Sequence, residues 1–346
     1  MKKLLVVVLA MLLVFTFAAC GGNSGGDDGG DAPAEPVTVK IAFETTMDDV
    51  IGVGLQRWAD NLEELSGGQM KAELFPSNQL GVKNDVIDQM LAGDNVITLG
   101  DGAFFADRGA PDFGITFAPY LYRTWDEAWT LVNSDWFQEQ SEICYNNGLK
   151  ILTANWIYGT RNIISTKKVV TPADLKGLLI RIPNNLVQTK GMDALGATAT
   201  PMGYADIYTG LQQGTIDGME GPMPQVYSAG FGEIAKFMVV DAHVLNPTIW
   251  FTSADWFDTL TEEQQNWLIE AGNAAGEFEQ SQYFDEEEKA RGDLEAQGVE
   301  ITDLTDEQKQ LWIEAGETFY DMPEIKALWT EDGLYEKIRA IIEAGS

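Results

Sequence analysis

The residue in this chain with the clearest capacity for chemistry is an arginine inside an apolar run. Leu178 to Ile182 reads "LLIRI", one short strand, and Arg181 sits within it. A buried guanidinium is costly unless an anion meets it. Its planar fork offers two parallel donors to a single carboxylate. The chain carries 54 acidic residues against 22 Lys and Arg, a net charge of −32, so a cation placed in a strand needs a reason. Arg161 opens a second strand-like run, "RNIIST", where an ion pair or hinge duty is the alternative to ligand contact. Asp101 follows the strand-like "NVITL" and suits a hydroxyl or ammonium group, or serves only as a turn residue. Glu44, Trp156 and Trp250 stand at strand ends and are candidate pocket walls.

Nucleophilic and metal chemistry have no such residues. There is no G-x-S-x-G, no H-E-x-x-H and no cysteine–histidine partner set. His243 is the only histidine, which removes Cys/His metal spacing and points to a structural role. Carboxylate-only hydrolysis needs two acids in register, and nothing places such a pair at a strand end. The expectation is no catalytic residue, no metal and no cofactor. The negative charge also disfavours nucleic acid and anionic lipid surfaces, so any anion site must be local.

The N-terminus, "MKKLLVVVLAMLLVFTFAAC", has two lysines, a short apolar stretch and small residues before Cys20. It reads as an export signal over residues 1–19, too short for a membrane span. "FAAC" resembles a lipobox, which would leave Cys20 lipidated. Residues 20–36 hold no apolar anchor and many glycines, and this tether would span about 20–25 Å. With Cys20 lipidated, Cys144 has no intrachain partner and reads as a buried structural thiol.

The elements that must position these residues follow from periodicity. "VTVKIAF" alternates as a strand; Ile51, Leu55, Trp58, Leu62 and Leu65 recur at helical spacing; "QMKAELF" alternates again. A second helix through Val82, Val86 and Met90 leads to "NVITL". This rhythm predicts a largely parallel sheet covered by helices. Further strands are expected at 149–156, 161–166, 178–182, 215–219 and 247–253, with helices near 184–195 and 203–213. Thr261 and Gln264 form a capping-box pattern that opens a helix running to about Gln297, although Gly272, Gly276 and Gly292 weaken it. In parallel sheets ligands gather outside the carboxyl ends of the strands, where Arg181 lies.

Four motifs in collinear order resemble the TRAP-transporter solute-binding proteins: "GQMKAELFPSNQLG", "GTRNIIST", "DLKGLLIRIPNN" and "GATATPMGYADIYTGLQQGTIDGME". The resemblance covers roughly residues 37 to 330. It implies a periplasmic-binding-protein-like α/β fold, two lobes with a long helix spanning both and a ligand cleft between them. It places Arg181 on the ligand carboxylate, Arg161 in the same cleft and Tyr204 against the ligand; Tyr204 could equally be core, with Ile207 and Leu211. Gly221 replaces a ligand-contacting asparagine of the family. "FETTMDD" lacks the family's histidine, and Asp101 matches an acidic or polar position loosely.

Lobe I is expected over 37–158 and 247–286, and lobe II over 159–246 and 287–346. The hinge would use strands near 157–161 and 245–248. The implied role is an exported, lipid-anchored receptor on the outer face of the cytoplasmic membrane or in the periplasm. It would bind a small organic acid and pass it to TRAP permease subunits. A binding protein of an ATP-driven importer and a secreted carboxylate-dependent hydrolase are the rivals. Ten tryptophans hint at an aromatic pocket wall.

Overall fold

The alternating "VTVKIA" forms β1 (Val37–Ala42), followed by the helix Val50–Leu65, whose N-cap Asp49 accepts Ile51 N–H at 3.0 Å. Next come β2 (Met70–Phe75), the helix Lys83–Leu91 and β3 (Val96–Gly100). In this computed structural model residues 36–345 are described; the expected export signal, Cys20 and the tether up to Glu35 lie outside them. After a helical stretch with Asp135–Asn146 at its end, β4 runs from Leu149 to Ser165. Then follow β5 (Leu179–Ile182), the helix Leu186–Leu195, β6 (Thr198–Pro201), the helix Ile207–Gln213 and β7 (Gly218–Gly221). The short helix Met223–Ser228 precedes β8 (Phe237–Ser253), the long helix Glu262–Ala296 and β9 (Glu300–Asp303). Helices Asp306–Glu317, Pro323–Leu328 and Leu334–Gly345 complete the chain.

The strands form one sheet in the order β2-β1-β3-β8-β4-β7-β5-β6, with β9 beside β8. Strands β1, β2 and β3 are mutually parallel, as are β5, β6 and β7. The pairs β3–β8, β4–β8 and β4–β7 are antiparallel. The sheet is therefore mixed, with five parallel pairings, β8–β9 among them, and three antiparallel ones. The antiparallel pairings all involve β4 or β8, 17 residues each: β4 runs with β1, β2 and β3 and against β5, β6 and β7, and β8 does the reverse. The expected strands at 149–156 and 161–166 are one strand, and 247–253 is the last part of a longer one. The expected 215–219 strand starts three residues later, at Gly218, and ends at Gly221.

This ribbon joins two halves. Residues 149–157 of β4 pair with 247–253 of β8, whose far edge pairs with β3. Residues 161–165 pair with 237–244 and with β7. Between the halves the register shifts at Ile157/Gly159 and again at Arg161/Ile163. Gly159 holds φ +138, and a Cβ there would collide with the Tyr283 hydroxyl and Pro222. Only glycine fits.

Each half carries helices on both faces. In the first, Val39 and Ile41 pack with Trp58, Leu62, Leu268 and Ala271, while Ala42 faces Met90, Phe105 and Ile338 on the other side. In the second, Ile164 joins Ile207, Leu211 and Leu294, and its neighbour Ile163 joins Ile180, Met192 and Trp312. The alternation is the two-residue period of a strand.

The long helix serves both halves. Thr261 and Gln264 cap its start reciprocally, at 3.2 and 3.0 Å. Two glycines that weaken it by propensity are required by packing. A Cβ on Gly272 would lie 2.6 Å from Trp58, and one on Gly276 2.7 Å from Trp156. At the crossover, Glu279 Oε2 accepts Ile157 N–H at 3.0 Å and the Tyr283 hydroxyl accepts Thr160 N–H at 2.9 Å. These bonds satisfy backbone donors where the ladder is broken. Cys144 is buried, and burial pushes its thiol up to about 12, so it is inert.

Candidate functional site

The residues that converge on one buried cavity come from strand ends and from the ribbon. Glu44 follows β1, Asp101 follows β3, Arg181 and Pro183 stand at the end of β5, and Tyr204 follows β6. Tyr158 and Arg161 lie on β4 and Asn246 on β8, at the crossover. Lys83, Gln188 and Gln225 arrive on helices, and Phe104 with them. The enclosed space is about 20 Å³. It opens toward an outer pocket of about 390 Å³ that shares Glu44, Lys83, Phe104, Arg181, Pro183 and Tyr204. Small-molecule sites typically occupy about 300–1,000 Å³, so a ligand at the inner residues requires the walls to part.

The two arginines are held differently. Arg161 is 5 % exposed, and its donors are used inside the protein. Its Nε donates to Glu220 Oε2, and Nη2 donates to Glu220 Oε1 at 2.7 Å. In the amide orientation that satisfies both neighbours, Asn246 accepts from Arg161 Nη1 at 3.3 Å and donates to Pro247 O at 3.0 Å. Phe117 and Tyr158 flank the guanidinium, 5.3 and 5.2 Å from its carbon. Behind it stands His243, 3.4 Å from Glu220 and 2.8 Å from Asp241. Burial alone would raise the Glu220 pKa, but Arg161 and His243 hold it well below the usual carboxylate range. Burial would lower His243, yet Asp241 and Glu220 bring it up to about 9. Glu220 and His243 are thus parts of a buried ionic chain.

Arg181 is equally buried, at 5 %. Its Nε donates to Met202 O at 2.9 Å, and Tyr204 lies under it with 5.9 Å from guanidinium carbon to ring centre. Its terminal nitrogens make no ion pair or hydrogen bond among the described residues. Burial lowers its pKa, and the more distant Glu44 and Glu220 offset this only in part. Arg339, another buried arginine, is paired with Glu127 at 2.8 Å. Arg181 is the departure from that pattern, and it faces the cavity.

Around the arginines the wall is polar. Lys83 Nζ donates to Glu44 at 2.8 Å, and the Tyr158 hydroxyl donates to the same oxygen at 3.2 Å. Burial would raise Glu44, but Lys83, with Arg181 and the Tyr158 hydroxyl adding to it, brings the acid below its ordinary value. Burial raises Asp101 to about 6; its carboxylate caps Ala103 N–H at 2.9 Å and accepts Gln188 Nε2 at 3.1 Å. Burial keeps Tyr158 and Tyr204 as neutral phenols.

Of the residues expected at the site, Arg181, Arg161, Tyr204, Asp101 and Glu44 come together here. Trp156, Trp250 and Gly221 do not line the cavity. Both tryptophans are fully buried with Trp58 beneath the sheet, at centroid distances of 5.4 to 5.9 Å. They face the long helix, where Trp156 Nε1 donates to Gly272 O at 3.0 Å. The expected aromatic wall is thus a core feature. The space beside Gly221 is filled by Gln225, whose Oε1 lies 2.9 Å from where a Cβ would stand. Sequence reasoning missed Lys83, Phe104, Tyr158, Gln188, Gln225 and Asn246. Tyr158 and Asn246 lie within the hinge segments singled out from the sequence; the others carry no signal, because their helices are aimed by tertiary packing.

Among the described residues no cluster suits a metal ion, and no helix is long and apolar enough to cross a membrane. The profile of the DctP family, "bacterial extracellular solute-binding protein, family 7", matches residues 41–326. A 2,3-diketo-L-gulonate-binding periplasmic protein of Escherichia coli is 30% identical over 269 residues, 77% of this chain and 81% of that protein. A TRAP periplasmic solute-binding protein from Ochrobacterium anthropi with bound L-fuconate superposes with TM-score 0.84 at 34% identity, covering 89% of this chain and 99% of that one. Another from Actinobacillus succinogenes, with bound L-galactonate, gives 0.82 at 28% identity, covering 89% and 100%.

Proposed function

The chain belongs to the DctP family of TRAP-transporter solute-binding proteins, bacterial extracellular solute-binding protein family 7, and on that premise we propose that it captures a sugar acid whose carboxylate is clamped by Arg181. The observation that carries this reading is the contrast between the arginines. Arg161 has its donors met internally, whereas the terminal nitrogens of Arg181 face the cavity with no partner among the described residues. Leaving a buried guanidinium without an anion costs several kcal/mol, so a carboxylate arriving there gains a charge-assisted, bidentate contact. The polar walls and the fuconate and galactonate carried by similar structures support a hydroxylated acid.

Capture would couple to closure. We assign lobe I to residues 37–158 and 247–286 and lobe II to 159–246 and 287–346, hinged where β4 and β8 change register. Ligand would add contacts from both lobes, with Arg181 and Gln188 on one and Glu44 and Asp101 on the other. The closed receptor would deliver its acid to an ion-gradient-driven permease, tethered to the membrane through a lipidated Cys20. No bond is made or broken in this role; relatives named for their ligands are binding proteins.

A thermal-shift panel tests the ligand class. L-Fuconate or L-galactonate at about 100 times its Kd should stabilise the protein by about 2.7 kcal/mol. That corresponds to a rise of roughly 4 °C in Tm. Stabilisation by neutral sugars alone would defeat the carboxylate reading.

A further inference from the structure

Two glutamine amides in the cavity are oriented by carboxylates, and their orientation dictates what a ligand must offer them. Gln188, on the helix Leu186–Leu195, is 4 % exposed. Its Nε2 donates to Asp101 Oδ2 at 3.1 Å. At pH 7.5, above the value of about 6 to which burial raises it, Asp101 is a carboxylate that accepts and cannot donate. The nitrogen of Gln188 is therefore fixed toward Asp101 and its carbonyl oxygen away from it. That Oε1 is buried and has no partner among the described residues.

Gln225 is oriented through one more link. Tyr158 gives its hydroxyl proton to Glu44, so its oxygen is left to accept from Gln225 Nε2. The carbonyl of Gln225 is thereby also an acceptor. It fills the space that a side chain at Gly221 would need, which makes the glycine a condition of the arrangement.

We propose that Gln188 and Gln225 are specificity-determining residues that read hydroxyl groups on the ligand beyond its carboxylate. The inference rests on the reading of Arg181 as the carboxylate's partner. The site then presents one cationic fork and two carbonyl acceptors held by anions. A polyhydroxy acid satisfies all three. An alkyl acid leaves the Gln188 carbonyl buried and unpaired and offers Gln225 no donor, and a dicarboxylate sets further acceptors against them.

Calorimetry at pH 7.5 decides it, with L-galactonate, L-fuconate, hexanoate and the neutral polyol galactitol titrated into wild type, Gln188→Met and Gln225→Met. Wild type should bind at least one of the two hydroxylated acids about 100-fold tighter than hexanoate. Each methionine variant should weaken that acid roughly tenfold and leave hexanoate unchanged or tighter. Equal affinity of wild type for hydroxylated and alkyl acids would overturn the inference, whatever the fold of the variants, and leave the Arg181 clamp intact. So would variants that lose both classes of acid alike. Galactitol binding as tightly as the acids would instead remove the clamp while the glutamine comparison still stood. Binding of neither hydroxylated acid would overturn both.

Discussion

Replacing Glu279 by glutamine should flatten the pH dependence of stability between about pH 5 and pH 8. The carboxyl is fully buried in the long helix; Oε2 accepts Ile157 N–H at 3.0 Å and Oε1 has no partner among the described residues. Burial, with the Asp49 charge adding to it and the Ile157 bond opposing it, raises the pKa to about 8 from 4.5. The sign follows directly. Above pH 4.5 the unfolded chain releases this proton while the folded chain keeps it, so stability falls as pH rises toward 8. One proton gives a slope of about −1.4 kcal/mol per pH unit, and the whole window amounts to something on the order of 4 kcal/mol. Glutamine keeps the shape and does not titrate. Its amide nitrogen, unpaired where Oε1 stood, adds a roughly constant offset, so the signature lies in the slope. Urea unfolding of wild type and Glu279→Gln at pH 5, 6, 7 and 8 gives the two curves. Other groups, such as His243, titrate in both proteins and largely cancel in the difference. Their stabilities should diverge by several kcal/mol across the window, the wild type losing ground. Parallel curves would refute a neutral, buried Glu279 at the crossover.

Glu220→Gln should lower stability by about 3 kcal/mol, because it strands the buried Arg161 and His243 charges; calorimetry should show Tm falling by roughly 5 °C, and an unchanged Tm would deny the ionic chain its structural role. Gly272→Ala should destabilise the long helix by about 1–3 kcal/mol despite better propensity, since its Cβ meets Trp58 at 2.6 Å. Gly292→Ala, with nothing within 4 Å, should instead stabilise by up to about 1 kcal/mol, and urea unfolding that ranks the two the other way would contradict the packing. Radiolabelled palmitate should be incorporated in cells making the wild type and absent from Cys20→Ala; equal labelling would rule out Cys20 as the anchor.

Much of the first half was legible because its elements are periodic. "VTVKIA" alternates, the helix Val50–Leu65 repeats its apolar residues, and the start of the long helix carries its capping box in the sequence. The ribbon was not legible as continuous. Its residues are buried on both faces, which erases alternation, and "YGT" and "NP" look like breaks. The structure uses both as irregularities: Gly159 supplies a left-handed φ at a register shift, and Pro247 sits opposite Ile157 beside it. The parallel rhythm likewise concealed that β4 runs with the strands of the first half and β8 with those of the second, so that the two halves meet antiparallel. At the site, a strand terminus next to proline exposed Arg181. Trp156 and Trp250 misled because position along a strand does not say which face a side chain takes. Lys83 and Gln188 sit on ordinary helices, and only the packing of those helices brings them to the cavity.

The central claim is that Arg181 is the cation kept for a ligand's carboxylate. Calorimetric titration of L-galactonate and L-fuconate into wild type and Arg181→Lys tests it most directly. Lysine keeps the charge and loses the fork, so affinity for the bound acid should drop roughly 30- to 100-fold. The ligand-free Tm should change little, because Arg181 makes no ion pair among the described residues. Unchanged affinity in the lysine variant would contradict the account.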